Sequence, residues 1–133
     1  MPKQAVLFWW AFWWVFLVLW TIGLLRPEPI QLQQLLIPSF LGWITAKGMH
    51  LGVYALLALL ASLLPGSPSL KLTCYIILLA HAFATEFLQL WVKERTGSLF
   101  DVAIDLCGVT LGLGLYKLYR FFSPTLQSDA SQK

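Results

Sequence analysis

Residues 72–92 read LTCYIILLAHAFATEFLQLWV, a run of 21 residues in which Glu86 is the only acidic or basic side chain apart from His81. A helix of this length rises about 30 Å, which matches the hydrocarbon core of a bilayer. The run is therefore predicted to cross a membrane, although it carries two ionisable groups.

Apolar runs of similar length lie on both sides of this stretch. The predicted spans are 5–25, 47–64, 72–92 and 99–119. Residues 30–44 are apolar but contain Pro38 and three glutamines, so we expect an interfacial or re-entrant segment between the first two spans. The polar tail 123–133 is expected to be disordered. The fold class is predicted as an all-α membrane protein, a four-transmembrane-helix bundle forming one domain over residues 1–122.

The composition supports a membrane location. Hydrophobic residues make up 59% of the 133 residues and charged residues 11%, with a mean hydropathy of +0.74, whereas soluble domains are about 25% charged. A separate soluble catalytic domain is excluded, and a scattered net charge of +3 disfavours nucleic-acid binding. Cys74 and Cys107 lie in apolar runs without a C-x-x-C spacing, so neither a disulfide nor a zinc knuckle is predicted.

The number of spans places both termini on one side of the membrane. Lys and Arg near the helix ends are divided equally, four on each side. Acidic residues lie mainly on the side opposite the termini, and we expect the termini to be cytoplasmic. The first span has eight aromatic residues between Phe8 and Trp20. It is expected to be a lipid-facing helix without a chemical role.

Ionisable groups inside a span cost about 2.5–3.5 kcal/mol on insertion scales, so their positions are informative. Glu86 lies near the end of the third span, Asp101 and Asp105 near the start of the fourth, and Lys47 and His50 at the start of the second. All these ends are on the membrane side opposite the termini, which we call the loop end. One shared polar site is predicted there.

Helical spacing supports the same site. Lys47, His50 and Tyr54 share a stripe about 80° wide, and Asp101 and Asp105 share a stripe with two glycines below them. Gly108-x-x-x-Gly112 is the spacing of small residues that lets membrane helices approach closely.

The candidate acid–base residues are His50, Glu86, Asp101 and Asp105. The candidate ligand-binding residues are Lys47, Tyr54, His81, Gln89, Arg95 and Ser98.

Structural roles are open for several of these residues. Asp101 follows Ser98 at a helix start and could be only a capping residue. Lys93 and Arg95 could be interfacial anchors whose charged ends reach the headgroups. His81 could be a hydrogen-bonded structural histidine. Glu86 and Asp105 are harder to explain this way, because a buried charge needs a partner.

The dispersed motif resembles the VanZ-like family of small integral membrane proteins over about residues 45–115. It consists of Lys47-x-x-His50-x-x-x-Tyr54, His81-x-x-x-x-Glu86-x-x-Gln89 and Arg95-x-x-Ser98-x-x-Asp101-x-x-x-Asp105. Ala46 stands where the family usually has Asp, and Asp105 where it usually has Asn. The resemblance implies a bacterial plasma membrane. The namesake branch confers low-level resistance to the glycopeptide teicoplanin, while most relatives have no assigned activity.

Two functions are in competition. In the first, the polar site binds or modifies a surface lipid or a lipid-linked envelope precursor. Lys47 and Arg95 would bind a phosphate or carboxylate, and Glu86 or Asp105 would act as acid or base with His50. In the second, the chain is a non-catalytic accessory or binding subunit with a structural polar network. Catalysis stays open because no nucleophile motif is present.

A metal site and a transport path are weaker alternatives. His50, His81, Glu86, Asp101 and Asp105 are metal-ligand types, but there is no local pair of histidines, so no metal and no cofactor are predicted. The halves of the second and fourth spans nearest the termini are apolar, which disfavours transport. Membrane lipids are the expected partners, with an amphiphilic envelope molecule or glycopeptide-related ligand at the site.

Overall fold

The computed structural model describes residues 3–27, 39–93 and 95–123. These residues form four helices, α1 (Lys3–Leu25), α2 (Ser39–Leu63), α3 (Pro68–Gln89) and α4 (Leu99–Phe122). Each helix is long and apolar enough to cross a membrane. No strand occurs in the described ranges. The predicted all-α membrane bundle of four spanning helices is confirmed.

Two of the helices begin at a capping serine. Ser67 precedes Pro68 at the start of α3, and its hydroxyl accepts a hydrogen bond from the Leu70 backbone N–H at 3.2 Å. Ser98 does the same for α4, where it accepts from the Phe100 N–H at 3.2 Å. Proline is favoured in the first helical turn because the N–H groups there have no acceptor within the helix, so the absence of one costs no hydrogen bond.

The second helix begins earlier than the sequence indicates. The prediction placed its start at Lys47, whereas α2 begins at Ser39. Residues 39–44 of the expected interfacial segment are thus part of this helix, because Lys47 sits inside the helix and does not mark its end. Residues 30–38 of that segment, and residues 124–133 of the tail, lie outside the described residues.

Helices α2 and α4 pack with their backbones close together. A Cβ atom built on Gly108 would lie 2.5 Å from the Leu51 carbonyl oxygen, and one built on Gly112 would collide with the Ala55 carbonyl. Ala58 of α2 is completely buried at this contact. The two glycines therefore permit a close helix crossing, and this crossing holds the polar ends of α2 and α4 together.

Helix α1 is anchored to α2 and to the loop that follows α2 through tryptophan N–H groups. Trp13 is fully buried, and its Nε1 donates to the Leu57 carbonyl at 2.9 Å. Trp10 Nε1 donates to the Pro65 carbonyl at 3.1 Å. Phe8 and Trp14 are exposed at 64% and 46%, as expected for a helix facing lipid. The prediction of a lipid-facing helix therefore holds for one face of α1, whereas the other face packs on the bundle.

Candidate functional site

The ends of the four helices at residues 25, 39, 89 and 99 lie on the same side of the bundle. At this loop end, Lys47 of α2 forms an ion pair with Asp101 of α4. The side chains of Lys47 and Asp101 are 22% and 10% exposed. The pair therefore lies at the rim of the polar site, between the solvent and the buried groups below it.

A buried pair lies one turn deeper on the same two helices. His50 Nδ1 is 2.9 Å from Asp105 Oδ1, and the Asp105 side chain has no exposed surface. The Trp20 ring of α1 meets the His50 ring edge to face, with 5.6 Å between centroids. Lys47 and His50 thus face Asp101 and Asp105 in matching order because both pairs follow helical spacing.

Glu86 links the end of α3 to the start of α4. Its Oε2 accepts a hydrogen bond from the Ser98 backbone N–H at 2.7 Å, and the residue is 4% exposed. Ser98 therefore uses its hydroxyl to cap α4 and its N–H to bind Glu86. A carboxylate near a helix N-terminus is favoured by the partial positive charge of the unpaired N–H groups.

Three of the predicted acid–base residues converge. His50, Glu86 and Asp105 each offer one donor atom to a group in which all donor atoms lie within 4.8 Å of one another. We call them the inner cluster. Two buried oxygens of this cluster, Glu86 Oε1 and Asp105 Oδ2, have no hydrogen-bond partner among the described residues. A buried oxygen without a partner is costly, so the inner cluster has unused capacity to accept a proton donor or a cation.

His81 lies in a separate hydrogen-bonded chain. Its Nδ1 is 2.7 Å from the Tyr54 hydroxyl and its Nε2 is 2.8 Å from the Thr21 hydroxyl. Thr21 also donates to the Leu17 carbonyl at 2.8 Å. Because the single proton of the Thr21 hydroxyl goes to Leu17, the Nε2–H of His81 is assigned as the donor to Thr21. In a neutral imidazole, Nδ1 then accepts from the Tyr54 hydroxyl.

Thr21 is a site residue that the sequence reasoning missed. The first span is predicted to carry no chemical role, and Thr21 adds a positioning contact from this span, since its hydroxyl lies 2.8 Å from Nε2 of His81. The available signal was a single hydroxyl within an otherwise apolar span, four residues before its end. His81 itself has structural partners on both nitrogens, so it is a positioning residue for Tyr54 in this arrangement.

Gln89 and Arg95 contact the end of α1. Gln89 is 3% exposed, and its Nε2 donates to the Leu24 carbonyl at 3.2 Å. Arg95 Nε donates to the Arg26 carbonyl at 3.1 Å. The Leu24 carbonyl lies in the last turn of α1, where carbonyls have no partner within the helix, and Gln89 supplies one. Arg95 binds the carbonyl of the residue that follows the helix. Both therefore fasten α1 to the loop end, whatever else they bind.

The structure distinguishes a capping role of Asp101 from a role in the polar site. Ser98 is the capping residue of α4, and Asp101 lies in the first turn that follows. Its carboxylate is paired with Lys47. Asp101 is therefore a member of the polar site through an interhelical ion pair, and capping is done by its neighbour.

An apolar groove adjoins the inner cluster between α3 and α4. Its volume is about 390 Å³. Its apolar wall is formed by Phe83, Phe87, Leu90, Leu99 and Val102. Glu86 and Ser98 lie on the same groove and form its polar end. Val102 is buried at the base of the groove, whereas the other four apolar residues of the wall are exposed on the bundle surface. A hydrocarbon chain could therefore enter the groove from the bilayer.

Comparison with known proteins complements this geometry. A search of curated proteins and a search of solved structures each found no significant match. The family model described as VanZ/LLP1 matches residues 8–120. That range includes all four spanning helices in most of their length and every residue of the polar site. This chain therefore belongs to the VanZ/LLP1 family of membrane proteins.

Proposed function

We propose that this protein acts in the cell envelope, at the bacterial plasma membrane, where it binds a surface lipid or a lipid-linked envelope precursor. The observation that carries the proposal is the position of Glu86, which belongs to the inner cluster and also lines the apolar groove. A polar site continuous with a groove for a hydrocarbon chain matches a molecule that has both a polar head and an apolar tail.

The contacts suggest how such a molecule would lie. Its chain occupies the groove between Phe87 and Leu99, and its head is held at the loop end beside Glu86 and Ser98. Lys47 is the partly exposed cation at the rim. A phosphate or carboxylate on the head would compete with Asp101 for Lys47, since both are anions that an ammonium group binds. Modification of the head by acid–base chemistry of His50 and Glu86 is a further step within this proposal.

Membership of a family whose namesake branch confers teicoplanin resistance fits binding of this kind. A protein that binds a lipid-linked precursor at the outer surface changes how much of it a glycopeptide can reach. We therefore expect expression of this chain to lower teicoplanin susceptibility in a bacterial host.

The test is to identify what the protein retains on purification. Full-length protein is extracted in mild detergent, and bound lipids are identified by mass spectrometry. Leu90→Trp, directly after the end of α3, narrows the groove. Leu88→Trp, two residues earlier, is the matched control, because Leu88 is 43% exposed and does not line the groove. We expect a retained amphiphile in the wild type and in Leu88→Trp, and its loss in Leu90→Trp. Equal lipid profiles in all three proteins would overturn the proposal.

A non-catalytic accessory role is the second candidate, favoured by the many polar contacts within the bundle. The Glu86→Gln variant distinguishes the binding function from the accessory role. If the folded variant loses the retained amphiphile or the teicoplanin phenotype, the polar site has a binding function. If Glu86→Gln loses only stability while retaining the amphiphile and the phenotype, the network is structural.

A further inference from the structure

The inner cluster combines deep burial with unused electron pairs. His50 is 8% exposed, Glu86 4% and Asp105 0%. One hydrogen bond joins His50 to Asp105, and one joins Glu86 to the Ser98 N–H. Each carboxylate keeps one buried oxygen without a partner among the described residues. Polar atoms left in this state are rare in native proteins and call for an explanation.

A cation explains the arrangement better than a single proton donor. A proton satisfies one oxygen at a time, whereas a metal ion accepts an electron pair from each of three groups simultaneously. A divalent cation also balances the charge of two carboxylates. The complete site would then be neutral, and neutrality lowers the cost of burying it within a membrane domain.

We propose that His50, Glu86 and Asp105 bind a divalent first-row transition cation, with Zn²⁺ and Mn²⁺ as the best matches. One imidazole nitrogen and two carboxylates suit such ions better than Ca²⁺ or Mg²⁺, which prefer oxygen ligands alone. The ligands come from α2, α3 and α4, so the ion would join the three helices at the loop end.

The separations are compatible with coordination after a small closure. Nitrogen and oxygen ligands of zinc lie about 2.0–2.2 Å from the ion, which puts tetrahedral ligands about 3.4 Å apart. The donor atoms of the inner cluster lie within 4.8 Å of one another. Side-chain rotation can supply this difference without moving the helices, because only one atom of each side chain has to approach.

The neighbouring metal-ligand residues have other partners. Asp101 is paired with Lys47, and both nitrogens of His81 are hydrogen-bonded. Cys74 lies deeper in α3 and Cys107 is exposed. Three protein ligands leave a coordination position for water or for a ligand. Glu86 lines the groove, which connects this position to the place where an amphiphile would lie.

The experiment measures the metal itself and does not require lipid binding. Full-length protein in detergent is stripped with a chelator, dialysed, and titrated separately with Zn²⁺, Mn²⁺, Co²⁺ and Mg²⁺. Bound metal is quantified by elemental mass spectrometry, and the Co²⁺ complex is followed by visible absorption. We expect about one ion of Zn²⁺, Mn²⁺ or Co²⁺ per chain and weak binding of Mg²⁺. X-ray absorption of the Zn²⁺ form should show nitrogen and oxygen neighbours without sulfur.

Variants locate the site. Glu86→Gln and Asp105→Asn each remove a carboxylate ligand with little change in shape, and we expect each to weaken binding by about 100-fold or more. Cys107→Ser is the control, because Cys107 is a metal-ligand residue type on α4 that is exposed and lies outside the inner cluster, and this variant should bind metal like the wild type. Absence of stoichiometric metal in the wild type would overturn the proposal even if a variant fails to fold. So would sulfur ligation, or equal losses in Cys107→Ser and Glu86→Gln.

Discussion

His50 Nδ1 lies 2.9 Å from Asp105 Oδ1, and no part of the Asp105 side chain is exposed. This contact places a carboxyl of α4 directly against the imidazole of α2. The contact makes Asp105 the deepest acidic group at the loop end, and its second oxygen has no partner among the described residues.

Two substitutions of Asp105 distinguish the contribution of its hydrogen bond with His50 to stability from the contribution of its charge. Asp105→Leu leaves the His50 Nδ1 without its partner, and we expect a loss of about 1–3 kcal/mol of stability. Asp105→Asn keeps an oxygen for this contact and should cost less than about 1 kcal/mol. Unfolding in detergent with increasing SDS measures both. Equal destabilisation by the two substitutions would contradict a stabilising contribution of the His50–Asp105 hydrogen bond.

The glycines of α4 provide a test of the helix crossing. Gly112→Ala places a methyl group against the Ala55 carbonyl, and we expect it to cost about 1–3 kcal/mol through overpacking. Gly114→Ala is the matched control, because a Cβ there has no neighbour within 4 Å. It should be neutral or stabilising by up to about 1 kcal/mol, since alanine favours helix more than glycine. Thermal unfolding of the two variants in the same detergent would compare them directly.

The chain through His81 predicts coupling between Thr21 and Tyr54. Thr21→Val and Tyr54→Phe remove the two partners of the imidazole, and their effects should be non-additive by about 0.5–3 kcal/mol in a double-mutant cycle. Thr110→Val is the control for the hydroxyl-to-methyl change, because the Thr110 hydroxyl donates to the Leu106 carbonyl within its own helix. Strict additivity would mean that His81 does not connect α1 to α2.

The Lys47–Asp101 pair predicts rescue by a second substitution. Lys47→Met leaves the Asp101 carboxylate without its ion pair, and Asp101→Asn leaves the ammonium without its own. Each single change should destabilise the protein more than the double change, because it leaves one charge without its partner. Breaking a fully buried ion pair costs about 3–5 kcal/mol, and the cost is smaller here because both groups are partly exposed. Yields of folded protein by size-exclusion chromatography and the unfolding midpoint provide the comparison.

The expected topology has its own test. With cytoplasmic termini, a C-terminal green fluorescent protein should fluoresce, and an alkaline phosphatase fused at the same point should be inactive. The reverse pattern would place the loop end in the cytoplasm. Binding of an outer-surface precursor would then be ruled out.

Much of the architecture follows from local properties of the chain. Runs of about 20 apolar residues require a bilayer, and each helix satisfies its own backbone hydrogen bonds there, so four spans can be counted from composition alone. The i, i+3 spacing of Lys47 to His50 and the i, i+4 spacing of Asp101 to Asp105 similarly predict which side chains share a helix face. These inferences do not depend on which helix is the neighbour.

The partners of each polar group depended on how the helices pack. Spacing along a chain contains no information on the distance between Glu86 and the Ser98 N–H, or on the hydroxyl of Thr21 meeting His81 across α1 and α3. The metal-ligand residues show this most clearly: no local pair of histidines exists, yet α2, α3 and α4 each bring one donor to the inner cluster. The sequence marks Gly108 and Gly112 as positions of close helix approach, but only the packed bundle shows that α2 is the helix that meets them, because a spacing of small residues permits a close approach without specifying the neighbour.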